Sequence, residues 1–432
     1  MNEQPKQFKW VGTRTIRPDG VDKVTGRAMY GADLTLPGML QGKVVRSPHA
    51  HARILSIDTS KAEALNGVKA VVTAADMPEA ESKPVAAGEA MINFRDLAEN
   101  VIARHKVLYE GQTVAAVAAT TIDIAEQAAA LIKVEYEVLP HVIDVLEAMK
   151  DDAPLLHDHI FTGGVKPKPE KPSNVANRVE FALGDVDAGF AAADVVIERN
   201  FTTEPVHQGY IEPHAAVADM GQDGKVDVWC SSQGHFMVRS FCAGLLKIPM
   251  SKIKVTAAEI GGGFGGKTTV YLEPLAIMLS RKSGRPVRMV MSREEVFRAS
   301  GPTSGAALTV KIGATKDGRI TAGDATLYFQ AGAFPGSPVG PAAMTAFAPY
   351  DLENARVVGY DVVSNRQKVV AYRAPGAPIS EYGVESIIDE LAVKLGIDPI
   401  EFRAKNGAKE GTQAAYGGKF GTIGMQETLA AA

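Results

Sequence analysis

The stretch AAEIGGGFGGKTTV, residues 257–270, constrains the fold more than any other part of the sequence. Its residues 261–268 match the phosphate-binding pattern G-x-x-x-x-G-K-[ST], between the strand-like IKVTAAEI and the apolar YLEPLAIML. Five of the six residues in 261–266 are glycine, and glycine loses more conformational freedom on folding than any other residue. A loop of such high entropic cost is predicted to let another group approach the main chain closely.

One interpretation of this loop is a nucleotide-binding phosphate loop, with Lys267 on the terminal phosphates and Thr268 on magnesium. That site also needs an aspartate at the end of a later apolar strand, yet the candidate strand PVRMVMSREE continues into serine and arginine. The loop also lies deep in strand-rich sequence, whereas a phosphate loop normally opens an α/β domain. The phosphate loop and a purely structural glycine turn both stay open as alternatives.

The hydrophobic pattern divides the chain into regions of different character. The first third alternates strand and helix patterns, as in TVAAVAAT followed by TIDIAEQAAALI, which predicts a compact α+β domain over about residues 20–140. The proline- and lysine-rich GGVKPKPEKPSN predicts a linker. Strand patterns dominate after about residue 179, with an Asp-Gly hairpin turn predicted in ATKDGRI. SEYGVESIIDELAVKLG predicts a helix with a serine cap and a glycine stop.

Composition excludes several classes of protein. The 432 residues carry a formal net charge of -4, without the basic stripe of a nucleic-acid binder. Cys230 and Cys242 are too few for an iron–sulfur cluster, which needs about four thiolate ligands, so two buried thiols are predicted. The polar start MNEQPKQFKWVG lacks a signal-peptide core, and no stretch reaches the ~18 apolar residues of a membrane span. A cytoplasmic protein is expected.

Several motifs along the chain share one resemblance. They are RPDGVDKVTGRAMYGADLTLPGMLQGKVVRSPHAHARI, LYEGQTVAAVAA, CSSQGHFMVRSFCAGLLKIPMSKIKVTAAEIGGGFGGK and VVAYRAPGAP. In this order, from about Arg14 to Gly407, they resemble the molybdenum-cofactor-binding large subunits of the xanthine dehydrogenase and aldehyde oxidoreductase family. The resemblance implies an α+β fold class, in which a hammerhead-like α/β N-terminal domain precedes a β-rich α+β molybdenum-cofactor-binding domain. The expected domains are 14–140 (hammerhead-like), 141–176 (linker), 177–407 (first cofactor domain) and 408–432 (tail).

The resemblance also implies particular site residues. Gln233 in SSQ is expected near the apical oxo ligand of molybdenum, without being a direct metal ligand. The implied cofactor contacts are Gln233, Gly262, Gly263, Phe264, Gly265, Gly266, Arg373 and Ala374. The implied substrate pocket consists of Thr268, Met344, Phe347 and Pro375. In HQGYIEPHAAVA, the side chains of His207, Glu212 and His214 are predicted to make structural polar contacts, because the histidines lack the spacing of a zinc motif.

The implied function is the molybdenum-cofactor subunit of a hydroxylase or dehydrogenase that takes its oxygen from water. The expected cofactor is a molybdopterin dinucleotide in its cytosine form. The family's catalytic glutamate lies in a later domain, so no catalytic residue is predicted here and a second molybdenum-domain subunit is expected to supply the base. Two explanations for the missing later domain stay open: a natural split of the large subunit into two chains, and a truncated chain.

The resemblance implies further partners, since electrons must leave molybdenum. Partner subunits are expected to carry [2Fe-2S] and FAD. Purine-oxidising members carry an acidic residue and an aromatic residue where this chain has Thr268 and Pro375, so a purine substrate is not expected. N-heteroaromatics, aldehydes, aromatic thioesters and steroid-like molecules stay open as small-molecule substrates. A hydratase on the same scaffold and a non-catalytic assembly scaffold are the remaining alternatives.

Overall fold

The structure is a computed structural model, and it describes residues 8–87 and 90–432. In chain order the strands are β1 (Leu40–Arg46), β2 (Ala52–Asp58), β3 (Val68–Thr73), β4 (Pro84–Ala87), β5 (Ala90–Asn93), β6 (Lys106–Val107), β7 (Thr113–Ala119), β8 (Lys133–Val138), β9 (Val175–Leu183), β10 (Val195–Thr203), β11 (Ala215–Met220), β12 (Val226–Cys230), β13 (Ile253–Ala257), β14 (Val287–Val290), β15 (Ala306–Ala314), β16 (Ile320–Gly332) and β17 (Ala355–Val363). The helices are α1 (Gly20–Thr25), α2 (Ser60–Glu63), α3 (Phe94–Val101), α4 (Ile122–Leu131), α5 (Val145–Ala148), α6 (Val186–Ala191), α7 (His235–Leu246), α8 (Glu273–Ser283), α9 (Arg293–Ala299), α10 (Val339–Thr345), α11 (Ala377–Leu395), α12 (Pro399–Asn406) and α13 (Met425–Ala431).

The first large sheet has seven strands in the order β13-β12-β11-β14-β1-β7-β3. Strand β1 pairs in parallel with β14, where Leu40 faces Val287, and antiparallel with β7 on its other side. Strand β7, TVAAVAA, is buried along its whole length, and its short alanine side chains let helices pack closely on the sheet. The sheet joins strands from both predicted domains, and the domain boundaries stay a prediction.

The second large sheet has five strands in the order β10-β15-β16-β17-β9. Strands β15 and β16 form the predicted hairpin, in which Gly318 has a φ of +84° and its N–H donates to the carbonyl of Thr315 over 2.9 Å. Helix α11 packs on β10 and β15, and α10 packs between α11 and β17. A separate hydrophobic core lies under these helices. The smaller sheets are β6-β2-β8 and β4-β5.

The predicted serine cap of α11 is wrong. The helix begins at Ala377 with Gly376 as its N-cap, and Ser380 lies buried inside the first turn, where its hydroxyl donates to the carbonyl of Ala377. A proline at position 378 is tolerated there because the first helical N–H groups have no intrahelical acceptor. The predicted glycine stop is confirmed, since Gly396 has a φ of +69° at the C-cap.

Two further expectations concern burial and length. Cys230 and Cys242 are both free thiols and both buried, as predicted. Within residues 8–87 and 90–432, no helix has both the length and the apolar character that crossing a bilayer demands.

His157 makes the stability of the fold depend on pH. The ring is 8% exposed, and its Nε2–H donates to the carbonyl of Ala333 over 2.7 Å. Burial lowers the pKa of His157 to about 4, below the value of about 6.5 expected when the chain is unfolded. The unfolded chain therefore takes up this proton first, so stability is complete above pH ~6.5 and falls as the pH drops towards 4.

We expect His157→Gln, which keeps a donor but does not titrate, to remove about 3 kcal/mol of this acid destabilisation. The measurement is the difference in free energy of unfolding between pH 6.5 and pH 4 for the natural protein and the variant. Between pH 7.5 and pH 8.5 the free energy of unfolding should change by the same amount in the two proteins. Equal losses in the acid window would contradict the assignment.

Candidate functional site

The glycine loop connects β13 to α8 and turns repeatedly through left-handed backbone conformations. Gly262 has a φ of +96° and Gly265 a φ of +101°, which glycine adopts without steric cost. Phe264, between them, has a φ of +51° and a side chain that is 49% exposed. A bulky residue held in this region stores strain, and such strain concentrates at functional sites.

The close packing of the loop against its neighbours explains why glycine is needed. A Cβ at Gly263 would lie 2.4 Å from Oε1 of Gln233, and a Cβ at Gly265 would lie 2.4 Å from the carbonyl oxygen of Ala371. A Cβ at Gly266 would lie 2.8 Å from the ring of Tyr210. The loop main chain is therefore in direct contact with three separate segments.

Gln233 holds the middle of the loop. Its Oε1 accepts hydrogen bonds from the N–H of Gly265 over 2.9 Å and from the N–H of Lys267 over 3.2 Å. Its own N–H donates to the carbonyl of Lys267 over 2.9 Å. Since both side-chain partners are donors, the atom facing them must be the carbonyl oxygen. The amide NH₂ of this exposed residue is left to donate elsewhere.

The segment around Arg373 lies against the other side of the loop. The N–H of Arg373 donates to the carbonyl of Phe264 over 2.9 Å, and Nε2 of Gln208 donates to the carbonyl of Ala371 over 2.9 Å. Arg373 and Ala374 are exposed, and Ala374 has a φ of +61°. The guanidinium of Arg373 makes no hydrogen bond or ion pair with the described residues. The structure thus places Gln233 and Arg373 in contact with the loop residues 262–266. The roles of all these residues stay predictions.

The four predicted pocket residues occupy different surroundings. Thr268 lies on the loop, where its hydroxyl donates to the carbonyl of Gly265 over 2.8 Å. Pro375 lies two residues after Arg373 and leads into α11. Met344, on α10, is 41% exposed, whereas Phe347 is 5% exposed and packs in the core under α10 and α11. The ring of Phe347 is therefore not open to a ligand in this chain, and a substrate contact through Met344 stays a prediction.

Lys267 is committed to an ion pair with Glu212. Its Nζ lies 2.7 Å from Oε2 of Glu212, and the two side chains are 0% and 8% exposed. Burial lowers the pKa of Lys267, while the hydrogen bond to Glu212 opposes that shift. A phosphate-loop lysine must face its ligand, so this arrangement does not favour a nucleotide site. Sequence reasoning identifies Glu212 without finding this role, because 55 residues separate it from Lys267.

The histidines of the HQGYIEPH segment make structural polar contacts, as predicted. A ring nitrogen of His214, Nε2, lies 2.6 Å from the hydroxyl of Tyr210, and Nε2 of His207 lies 2.9 Å from Oγ of Ser300. Burial lowers the pKa of His207 to about 4 and that of His214 well below its ordinary value. In the described ranges, no group of three or more His, Cys, Asp or Glu side chains is placed to hold a metal ion.

Two family models match the chain. Residues 25–140 match the model described as aldehyde oxidase and xanthine dehydrogenase, a/b hammerhead domain, and residues 167–407 match the molybdopterin cofactor-binding domain. The nicotinate dehydrogenase large molybdopterin subunit of Eubacterium barkeri is 32% identical over 430 residues, which cover 98% of this chain and 96% of that protein. The chain belongs to the xanthine dehydrogenase and aldehyde oxidoreductase family.

Other members of the family are longer than this chain. The carbon monoxide dehydrogenase large chain of Afipia carboxidovorans is 35% identical over 423 residues, which cover 94% of this chain and 51% of that protein. The aldehyde oxidoreductase of Desulfovibrio gigas superposes with a TM-score of 0.86 at 28% identity, covering 96% of this chain and 45% of that one. The predicted fold class is confirmed by these matches, and the chain spans about half the length of both proteins.

The residues around the loop fit the cofactor of this family. The molybdopterin cofactor-binding match, residues 167–407, contains every predicted cofactor contact. A molybdopterin is anionic and rich in oxygen, and main-chain N–H groups free of side chains suit such a ligand. The NH₂ of Gln233 and the guanidinium of Arg373, which donate to no described residue, add two donors on segments that contact the loop. The observation that decides the fit is that the N–H groups of residues 262–264 donate to no described residue, while the rest of the loop is held by its neighbours.

Proposed function

We propose that this chain is the molybdenum-cofactor subunit of a multi-subunit hydroxylase or dehydrogenase. The observation that carries the proposal is the loop itself: Gln233 and the main chain of Arg373 hold it in place, and the N–H groups of residues 262–264 donate to no described residue. When bound, the cofactor supplies the two-electron oxidation of an electron-poor carbon with oxygen from water. The residues that would bind and orient it are Gln233, which would donate near the metal, and Arg373, which would bind the anionic cofactor.

We assign the catalytic base to a partner chain. Among the described residues, Glu212 is the carboxylate that hydrogen-bonds the glycine loop, and it is buried in its pair with Lys267. It is therefore not free to take a proton from a reacting group. The proposal also includes the cytosine dinucleotide form of the cofactor. It further includes a second molybdenum-domain subunit and partner subunits that carry [2Fe-2S] and FAD.

Among the possible substrates, an N-heteroaromatic is the class we favour. The relative that this chain covers almost completely is named a nicotinate dehydrogenase subunit. Thr268 and Pro375 offer a purine neither an acidic partner nor a stacking ring. Aldehydes, aromatic thioesters and steroid-like molecules remain in the proposal as further classes.

The test is the molybdenum and pterin content of the protein as its native host assembles it. We expect both to be present, and oxidation of nicotinate to exceed that of xanthine with an artificial electron acceptor. Arg373→Met should weaken cofactor retention roughly 10- to 100-fold, because charge-assisted hydrogen bonds each contribute about 1.5–3 kcal/mol. Arg366→Met is the control, since the Arg366 side chain also reaches solvent but donates to the carbonyl of Ile143.

Two outcomes would overturn this proposal. One is a protein without molybdenum or pterin that binds a nucleotide with magnesium and loses that binding in Lys267→Ala. The other is equal cofactor loss in Arg373→Met and Arg366→Met.

A further inference from the structure

A single carboxylate oxygen connects the two ends of the glycine loop. Oε2 of Glu212 accepts a hydrogen bond from the N–H of Gly261 over 2.8 Å and from Nζ of Lys267 over 2.7 Å. The N–H of Glu212 also donates to the carbonyl of Gly261 over 3.1 Å. Since Gly261 and Lys267 are the first and last residues of the segment 261–267, Glu212 closes this segment into a ring.

The surroundings of Glu212 hold it in place. A Cβ at Gly261 would lie 2.6 Å from Cβ of Glu212, so the loop begins in tight contact with this side chain. The guanidinium of Arg293, at the start of α9, donates to the carbonyls of Tyr210 and Ile211 immediately before Glu212. Nζ of Lys267 also lies 4.8 Å from the centre of the Tyr210 ring. The main chain that leads into Glu212 is therefore held by a residue outside the loop.

This arrangement has a consequence for binding. A glycine-rich loop that is free in solution must lose much conformational entropy when it orders around a ligand. Glu212 fixes the two ends of the loop and Gln233 fixes its middle. These contacts are made by groups of the protein itself, so they order the loop before a ligand binds. A loop ordered in advance binds more tightly because the cost of ordering is met during folding.

We infer that Glu212 is a positioning residue, which acts through Lys267 and Gly261 to hold the loop amides in a cofactor-binding conformation. This inference rests on the proposed function for the identity of the ligand. It assigns Lys267 to the interior of the loop rather than to the cofactor. Breaking the ring should therefore loosen the loop and weaken cofactor retention even when the buried charge is removed and overall stability is restored.

The experiment compares Glu212→Gln with the double variant Glu212→Gln/Lys267→Met in the full chain, purified with the subunits that accompany it. Three quantities are measured: hydrogen exchange of peptides spanning residues 258–270, molybdenum per chain and the unfolding midpoint. In Glu212→Gln we expect loop exchange at least about tenfold faster and molybdenum content lower by a similar factor. In the double variant the unpaired buried charge is gone, so the unfolding midpoint should recover while fast exchange and low molybdenum persist.

Glu385→Gln is the matched control, because Glu385 pairs with Arg403 and accepts from the hydroxyl of Tyr350 away from the loop. It should lower the unfolding midpoint and leave loop exchange and molybdenum content unchanged. The inference is overturned if the double variant regains natural exchange and molybdenum along with its stability, or if Glu385→Gln loses as much molybdenum. If the natural protein holds no molybdenum but loop exchange responds as expected, the proposed function fails and the positioning role of Glu212 stands.

Discussion

Replacing Lys267 with methionine is expected to lower the free energy of unfolding by about 3–5 kcal/mol, because it leaves the carboxylate of Glu212 buried without its cation. The two side chains are 0% and 8% exposed, so water cannot take over the lost interaction. Methionine keeps most of the volume of the lysine stem, which limits any cavity term. The measurement is urea-induced unfolding followed by circular dichroism.

Lys225→Met is the control for this change. The amino group of Lys225 lies 2.9 Å from Asp223, but both side chains are largely exposed. Exposed pairs contribute little to stability, so this variant should unfold at the natural urea concentration. If Lys267→Met behaved in the same way, the buried pair would not exist in solution. A lysine that faced a phosphate would produce that result, together with loss of nucleotide binding.

The parts of the site that sequence could predict lie within short motifs. The spacing of glycines in residues 261–266 predicts a loop in which the main chain is approached closely, and the structure shows such approaches at Gly263, Gly265 and Gly266. The resemblance, carried by motifs of a few residues, predicts cofactor-binding roles for Gln233 and Arg373; the structure places both in contact with the loop, and their roles stay predictions. Such features can be predicted from sequence because the conformation of a turn depends on the few residues that form it.

The parts that sequence could not predict depend on pairing across long separations. The motif GKT is equally consistent with a phosphate-binding site. The ion pair of Lys267 with Glu212, which lies 55 residues away, shows that the lysine side chain is buried instead. The pairing of β1 with β14 likewise joins segments about half the chain apart. Hydrophobic periodicity identifies which face of an element is buried, but it does not identify the partner. For the same reason, the burial of Phe347 in the core of the second sheet could not be foreseen.

Replacing Gly265 with alanine is expected to abolish most cofactor retention while the fold survives. The new Cβ would lie 2.4 Å from the carbonyl oxygen of Ala371, so the segment that carries Arg373 must move away from the loop. That movement breaks the hydrogen bond from the N–H of Arg373 to the carbonyl of Phe264. The φ of +101° adds a backbone cost of about 1–3 kcal/mol for a residue with a side chain. Molybdenum per chain and the unfolding midpoint are the two measurements.

Gly417→Ala separates the two causes of this effect, because Gly417 has a φ of +97° and no atom within 4 Å of the position that a Cβ would take. It carries the same conformational cost as Gly265→Ala without a collision. We expect it to lower the unfolding midpoint by no more than Gly265→Ala does and to keep its molybdenum. Equal molybdenum loss in both variants would mean that general strain, rather than the contact between the loop and residue 371, governs cofactor retention. Retention in both would mean that the loop and the Arg373 segment bind the cofactor independently of each other.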